Sequence, residues 1–126
     1  MGDINIKPTR KTPSILFNES EKRLIIEGRS ILENPARFYK PLIAKLKDCY
    51  NRPIGKLEID FKLEYFNTTS SIVILQVLKH IYSLHNSNSE IIINWYYDED
   101  DEDLLEVGQD YSELLNFPFN LVSIPN

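Results

Sequence analysis

A run of hydroxyl side chains lies between the most regular strand pattern of the chain and a helical pattern. Asn67 is followed by two threonines and two serines, at residues 68–71. One capping side chain satisfies only one or two of the free N–H groups at a helix start, so four hydroxyls exceed what a cap needs. A phosphate at this place would meet free N–H groups and the positive end of the helix dipole. One of these hydroxyls is therefore a candidate phosphoacceptor, and a Ser/Thr-rich cap without further role is the alternative.

Other reactive side chains give weaker signals. No GxSxG motif surrounds a serine, Cys49 has no neighbouring histidine, and the four glycines are scattered instead of forming a phosphate loop. His80 and His85 are five residues apart, which is a poor spacing for one metal ion on a helix. The carboxylates of residues 57–65 alternate with apolar residues, as in a solvated strand face. We predict no enzyme activity, no catalytic residue, no metal site and no cofactor.

The composition is that of one domain without a membrane segment. A chain of 126 residues with 42% hydrophobic residues can bury a sizeable core. No apolar run reaches the roughly 18 residues that a bilayer requires, and residues 1–11 lack the apolar centre of a secretory signal. The single cysteine cannot form an internal disulfide. We expect a cytoplasmic protein that does not contact a membrane.

Charge is distributed unevenly along the chain. Residues 1–50 carry ten Lys/Arg and six Asp/Glu, whereas residues 51–126 carry four and thirteen, including an unbroken acidic run at 98–103. An acidic field repels phosphate backbones, so nucleic acid is not an expected partner. The acidic run suggests a solvated loop before a helix, and a docking surface for a basic partner is the alternative.

The elements that must position the hydroxyls alternate between strands and helices. Residues 1–12 are predicted to be a flexible arm that pairs at a sheet edge, and residues 13–126 a single domain. This order predicts an α/β fold with a mixed, mostly parallel sheet and an N-terminal hairpin. The charged face of strand 57–65 indicates helices mainly on one face of the sheet. The predicted elements are strands 14–17, 23–27, 57–65, 90–97 and 119–124, and helices that start at Asn34, near Ser71 and at Leu104.

Apolar spacings of three and four predict the buried face of each helix. Pro41 conflicts with the first helix, so a bend or a later start is expected there. The predicted apolar stripes are Phe38, Tyr39, Leu42, Ile43, Leu46, Cys49 and Tyr50; then Ile72, Leu75, Leu78, Ile81, Tyr82 and His85; then Leu104, Val107, Tyr111, Leu114 and Leu115. Both histidines are expected at surface or groove-lining positions.

Three segments resemble the SiaC family of bacterial regulatory phosphoproteins. They are EIDFKLEYFNTTSS at 58–71, INWYYD at 93–98 and NFPF at 116–119, and the resemblance extends from about Thr12 to the end of the chain. It implies a fold similar to the STAS domains of anti-sigma-factor antagonists. It also implies a partner-switching circuit: a protein kinase with a histidine-kinase-like ATPase fold adds the phosphate, a metal-dependent protein phosphatase removes it, and the unphosphorylated form controls an output protein. In the best-known system that output is a diguanylate cyclase.

The resemblance places the phosphoacceptor at Thr68, the threonine after Asn67. The family pattern continues with serines, whereas here Thr69 intervenes, so Thr69 is the alternative acceptor. Tyr65, Asn67, Thr69 and Ser70 are predicted to bind the partner around the acceptor. The rival hypothesis is a constitutive interaction module, in which the acidic helix and the aromatic side chains at 95–97 bind a basic partner without modification.

Overall fold

Six strands and three helices make up the fold in the computed structural model, which describes residues 2–126. Strands β1 to β3 are antiparallel, and β3 to β6 are parallel. The sheet order β1-β2-β3-β4-β5-β6 equals the chain order. The predicted α/β fold, with its mostly parallel mixed sheet and N-terminal hairpin, is confirmed. The elements are β1 (Ile4–Ile6), β2 (Ser14–Asn18), β3 (Arg23–Ser30), α1 (Pro35–Asp48), β4 (Gly55–Phe66), α2 (Thr68–Tyr82), β5 (Ser89–Asp98), α3 (Glu102–Leu115) and β6 (Asn120–Ile124).

All three helices cover the same face of the sheet. Each parallel connection advances by one strand in the same direction, and right-handed crossovers then place every helix on one side. A single hydrophobic core lies between the helices and the sheet. Its sheet side is formed by alternate residues of β2 to β5, which include Ile15, Phe17, Leu24, Ile26, Ile59, Phe61, Ile93 and Trp95.

The edge strand β1 lies within the predicted N-terminal arm. Ile4 is opposite Phe17 and Ile6 is opposite Ile15, so both isoleucines lie over the helix side of the sheet and pack against the core. The arm thus has a paired segment in this structure, whereas its flexibility and the boundary at residue 13 stay predictions.

The helix-free face carries a polar network across β3 to β6. The guanidinium of Arg23 binds the Asp60 carboxylate at 2.5 Å, and the Asn94 amide donates to the same carboxylate at 2.8 Å. Asn94 in turn accepts from the Asn120 amide at 2.9 Å. Asp60 is only 1% exposed although no helix covers it. Pairing with a cation and an amide makes this burial tolerable, because both carboxylate oxygens have donors.

A β-bulge interrupts the alternation of β4 near its end. Gly28 is opposite Leu63 and Arg29 is opposite Tyr65, so Glu64 is the extra residue. An inserted residue reverses which face the following side chains take. Strict alternation from Leu57 would put Tyr65 on the same apolar face as Leu63, but this does not hold after the bulge: Tyr65 is 53% exposed, and Phe66 instead packs edge-on against Trp95.

Helix boundaries agree with the predictions better than helix faces do. Asn34 caps α1 as predicted, and Pro41 lies inside a helix that does not begin later. The buried placement of Tyr50 is wrong because α1 ends at Asp48, so the helical spacing no longer applies. In α2 the apolar residues are spread around the helix, so their pattern does not determine which side of the helix is buried. Predicted buried residues that are exposed here are Ile72, Tyr82 and Leu114, whereas His85 is exposed as expected for a surface position.

Candidate functional site

The start of α2 directly follows the carboxyl end of β4, which is an interior strand of the sheet. Asn67 caps the helix: its side-chain oxygen accepts from the Ser70 N–H at 3.1 Å. Its amide nitrogen donates to the Leu32 carbonyl at 3.0 Å, and its backbone N–H donates to the Ser30 carbonyl at 3.1 Å. The cap therefore joins α2 to the end of β3 and to the loop that leads into α1.

The four hydroxyls that follow Asn67 have different environments. The Thr69 hydroxyl donates to the Leu32 carbonyl at 2.6 Å, and the Ser71 hydroxyl donates to the Thr68 carbonyl at 2.6 Å. Ser70 is fully buried. Thr68 is exposed, and its hydroxyl has no hydrogen-bond partner within residues 2–126. Thr68 is thus the one hydroxyl of this group that is both accessible and unengaged in the described part of the chain.

Three buried hydroxyls, linked by hydrogen bonds, hold this helix start in place from the protein interior. Tyr39 of α1 donates to the Ser30 hydroxyl at 2.8 Å, and Ser30 donates to the Ser70 hydroxyl at 3.0 Å. Burial raises the pKa of Tyr39 to about 12, while its hydrogen bond to Ser30 acts in the opposite direction. The neutral phenol is the form that suits this dry site. Ser70 consequently holds the helix in place and is not accessible to a partner in this structure.

The third helix reaches the same site through Tyr111. Its hydroxyl donates to the Ser71 carbonyl at 2.8 Å, and its ring packs edge-on against Trp95. Burial raises the pKa of Tyr111 to about 12, partly offset by the hydrogen bond to Ser71. The first turn of α2 is therefore attached to α1 and to α3 by phenolic hydroxyls.

Two exposed apolar side chains lie near Thr68. Ile72 lies one turn further on the same helix face and is 58% exposed, and Tyr65 precedes the helix with its ring exposed. The first turn of α2 contains no acidic residue. Such a surface suits a partner that packs closely against a neutral helix start.

A cleft opens at the same end of the sheet, where the parallel strands have their carboxyl ends, between the last residues of β4 and β5. Its volume is about 610 Å³. Tyr96 and Tyr97 line it together with Lys62 and several carboxylates, among them Glu64 and Asp98. Trp95, which the interaction-module hypothesis placed at a partner surface, is only 1% exposed and packs beneath α3, so that part of the hypothesis is wrong.

Within the described residues, no helix is long and apolar enough to span a bilayer. The same residues contain no group of three or more His, Cys, Asp or Glu side chains placed to hold a metal ion.

The supporting residues Ser30, Leu32, Tyr39 and Tyr111 were not identified from sequence. Ser30, Leu32 and Tyr111 form hydrogen bonds to residues 37 to 40 positions away, and Tyr39 bonds to Ser30, so no local pattern links them to the start of α2. The register of β3 beside β4 brings Ser30 to this helix start.

The fold and the site together define an α/β domain that presents an accessible threonine at a helix start, directly after a central parallel strand. The chain belongs to the SiaC family of regulatory phosphoproteins, whose family model matches residues 6–124. An uncharacterized protein of Pseudomonas aeruginosa (strain UCBPP-PA14) is 28% identical over 119 residues, which are 94% of each chain.

Solved structures of SiaC from Pseudomonas aeruginosa share the fold. Apo-SiaC is 26% identical, with a TM-score of 0.85 over 97% of this chain and 99% of that one. SiaC bound to the diguanylate cyclase SiaD, which it activates, is also 26% identical, with a TM-score of 0.88 over 97% and 100% of the two chains. The resemblance identified from the sequence motifs is thereby confirmed.

Proposed function

We propose that this protein is a reversibly phosphorylated regulatory domain whose acceptor is Thr68. The observation that carries the proposal is the contrast among the four hydroxyls. Thr68 is exposed and unengaged within the described residues, Thr69 and Ser71 are bound to carbonyls, and Ser70 is buried. A kinase must move a hydroxyl oxygen into line with a phosphoryl group, and a free side chain meets this requirement without loss of a native hydrogen bond. This contrast favours Thr68 over the alternative acceptor Thr69.

The phosphorylated state is compatible with the fold. The backbone N–H groups of Thr68 and Thr69 lie in the first turn of α2, where helical hydrogen bonds do not use them. A phosphate on Thr68 adds about −1.5 to −2 charges near these N–H groups and the positive end of the helix dipole. Modification therefore changes the charge of a docking surface and does not require the domain to unfold.

The partners in this proposal are an output protein and two modifying enzymes. SiaC from Pseudomonas aeruginosa forms a complex with the diguanylate cyclase SiaD, and we assign this chain an output partner of the same class. Tyr65, Asn67 and Thr69 form the docking rim, with Ser70 supporting it from inside. A kinase with a histidine-kinase-like ATPase fold and a metal-dependent phosphatase interconvert the two forms. The circuit operates in the cytoplasm.

The test is phosphorylation of defined variants in the native cells. Thr68→Ala should abolish the shifted band on a phosphate-affinity gel, whereas Thr68→Ser, which keeps a hydroxyl at the same place, should retain it. Mass spectrometry of the wild-type protein should locate the phosphate on Thr68. Phosphate on Thr69, or an undiminished shifted band in Thr68→Ala, would refute the assignment. A single unmodified wild-type band under all conditions would favour the constitutive interaction module.

A further inference from the structure

The cleft beside the start of α2 exists because two neighbouring strands separate. β4 and β5 are paired from Gly55 and Ser89 up to Phe61 and Trp95. Beyond that point β4 remains paired with β3 as far as Phe66, and β5 continues along β6 as far as Asp98. The gap between them is an opening of about 610 Å³, within the range of about 300–1,000 Å³ that ligand sites occupy.

Apolar and aromatic side chains form the interior of this cleft. Leu63, Leu104 and Ile124 contribute aliphatic surface from three different elements, and the rings of Tyr96 and Tyr97 are half-buried in it. Lysine and arginine side chains bind well to such surfaces, because their stems pack on apolar groups and their cations attract aromatic faces.

The rim of the cleft is acidic and largely unneutralised. Glu27, Glu64, Asp98 and Asp101 line it, and Asp101 is engaged as the cap of α3. The other three carboxylates have no ion-pair partner among residues 2–126. The single cation in the cleft, Lys62, does not pair with any of them within this range. Its ammonium instead lies 4.8 Å from the centre of the Tyr96 ring.

We propose that the cleft accepts an arginine side chain of the protein that docks at Thr68. The inference rests on the proposed function, because the partner at the Thr68 edge supplies the side chain. Lys62 shows that the face of Tyr96 already attracts a cation within the molecule. Arginine fits better than lysine, since its planar guanidinium stacks on a ring while forming paired hydrogen bonds to a carboxylate.

The occupant is a side chain of a docked protein because of where the cleft lies. Glu64 is on its rim, and the next residue, Tyr65, is exposed beside the start of α2. A partner that covers Tyr65 and Thr68 therefore also reaches the mouth of the cleft. The exposed side chains of Tyr65 and Ile72 beside an acidic cleft let such a partner use apolar contacts and one charge-complementary anchor together.

The first experiment uses a tetra-arginine peptide blocked at both ends, titrated by calorimetry into the whole unphosphorylated protein. Glu64→Gln combined with Asp98→Asn should weaken binding about tenfold, because two exposed ion pairs are lost. Glu106→Gln combined with Asp110→Asn removes the same net charge from exposed positions of α3 outside the cleft, and should change the affinity less than twofold. Equal losses in both double variants would overturn the proposal, because binding would then follow net charge alone.

A second experiment predicts a gain of affinity. Lys62→Met removes the cation that lies over Tyr96, so the peptide should bind several-fold more tightly. Lys56→Met removes the same charge from the opposite end of β4 and should have little effect. No gain in Lys62→Met would contradict the assignment of the Tyr96 face as the cation site. A tetra-lysine peptide that binds as tightly as tetra-arginine would contradict the assignment to arginine.

Failure of this inference is distinguishable from failure of the proposed function. The peptide titrations need no kinase and no phosphate, whereas the assignment of Thr68 is tested by phosphorylation of its variants. If the cleft double variant binds the output partner as tightly as the wild-type protein while Thr68→Ala loses the phosphate, the cleft proposal is overturned and the phosphoacceptor stands.

Discussion

The hydroxyls at the start of α2 have separate tasks that their residue types do not reveal. The Thr69 hydroxyl contacts a loop carbonyl, and the Ser70 hydroxyl contacts a buried serine. The Thr68 hydroxyl contacts nothing within the described residues. The difference in contacts separates residues that hold the helix from the residue that is free to be modified.

Stability measurements should separate these tasks. Asn67→Ala removes the cap of α2 and the bond to Leu32, and should lower the free energy of unfolding by about 1–2 kcal/mol. Thr68→Ala removes an exposed side chain and should change it by less than about 0.5 kcal/mol. Urea unfolding monitored by circular dichroism gives both values. An equal loss in the two variants would mean that Thr68 supports the fold.

Partner affinity should respond to charge at Thr68. The first turn of α2 has no acidic residue and exposes Ile72, so a phosphate on Thr68 must be desolvated when a partner packs against this turn. A penalty of roughly 3 kcal/mol lowers the affinity about a hundredfold, and Thr68→Asp, with less charge, should lower it by a smaller factor. Calorimetry with the output partner should be performed on the unmodified, phosphorylated and Thr68→Asp proteins. Tighter binding of the phosphorylated form would reverse the proposed direction of switching.

Contacts between residues close in sequence could be predicted from the sequence, and contacts between distant residues could not. The cap at Asn67 and the hydroxyl run are local patterns, and both lie where the strand and helix patterns placed them. That the Thr69 hydroxyl is engaged and the Thr68 hydroxyl is not could not be predicted from local sequence, because the engagement depends on a carbonyl 37 residues away in sequence. Only the folded register supplies that carbonyl.

Among the elements, β4 shows how one residue changes what a strand presents. Strict alternation predicts an inward Tyr65, but the bulge at Glu64 exposes it and moves Phe66 toward Trp95. A bulge leaves no signal in an alternating sequence, since polar Glu64 fits the pattern as well as a regular residue would.

Helix α3 depends on a glycine for its distance from the sheet. A Cβ atom on Gly108 would lie 2.5 Å from Cδ1 of Trp95. Gly108→Ala should therefore destabilise the protein by about 1–2 kcal/mol, because overpacking outweighs the gain of roughly 1 kcal/mol in helix propensity. Gln109→Ala, on the exposed side of the same helix, should not destabilise it. Thermal unfolding followed by Trp95 fluorescence gives the comparison, and a stabilised Gly108→Ala would contradict the close packing.

The polar network on the helix-free face depends on a buried carboxylate. Asp60→Ala leaves the Arg23 guanidinium without its closest acceptor and removes one of the two carboxylates, those of Asp60 and Glu58, that accept from the Asn94 amide. The expected loss is about 3 kcal/mol, near the lower end for a broken buried pair because the Arg23 side chain is 39% exposed. Glu58→Ala is the matched control: Glu58 is one-third exposed, lies 3.6 Å from Arg23 and accepts from the Asn94 amide at 2.7 Å, so its loss should cost about 1 kcal/mol, clearly less than Asp60→Ala. Similar losses in both variants, measured by urea unfolding, would contradict a special role for Asp60.

At the scale of the whole molecule, two buried phenols limit stability at high pH. The pKa values of Tyr39 and Tyr111 are raised to about 12 in the folded protein, against about 10 in an unfolded chain. The unfolded chain therefore loses these protons first, and the stability present below pH 10 decreases as the pH rises toward 12. Each tyrosine contributes up to roughly 3 kcal/mol to this decrease.

Urea midpoints measured from pH 8 to 11.5 should fall above pH 10. Tyr39→Phe removes one titrating phenol from the core, so its midpoint should decline less steeply over the same range. An identical pH dependence for Tyr39→Phe and the wild-type protein would exclude Tyr39 as a cause of the alkaline decrease.

The overall architecture was predictable because it follows from element order. An N-terminal hairpin followed by alternating helices and strands permits few topologies. The charged side chains of β4 indicated that helices leave one face of the sheet uncovered. The phase of α2 was not predictable from its pattern. Val73, Ile74 and Val77 are buried, whereas Ile72 is exposed, and apolar residues around the whole helix do not distinguish these orientations.

The strands have the same order in the sheet as in the chain, and this affects how the protein folds during synthesis. Each new strand finds its neighbour already translated, so the sheet can grow by one strand at a time as the chain leaves the ribosome. The cap of α2 uses only groups from Ser30 to Ser70, which precede β5 and β6. The hydrogen bond from the Tyr111 hydroxyl to the Ser71 carbonyl, by contrast, forms only when the last helix has emerged. A nascent chain thus acquires the local shape of the proposed acceptor site before it acquires the contact that anchors that site to the final third of the protein.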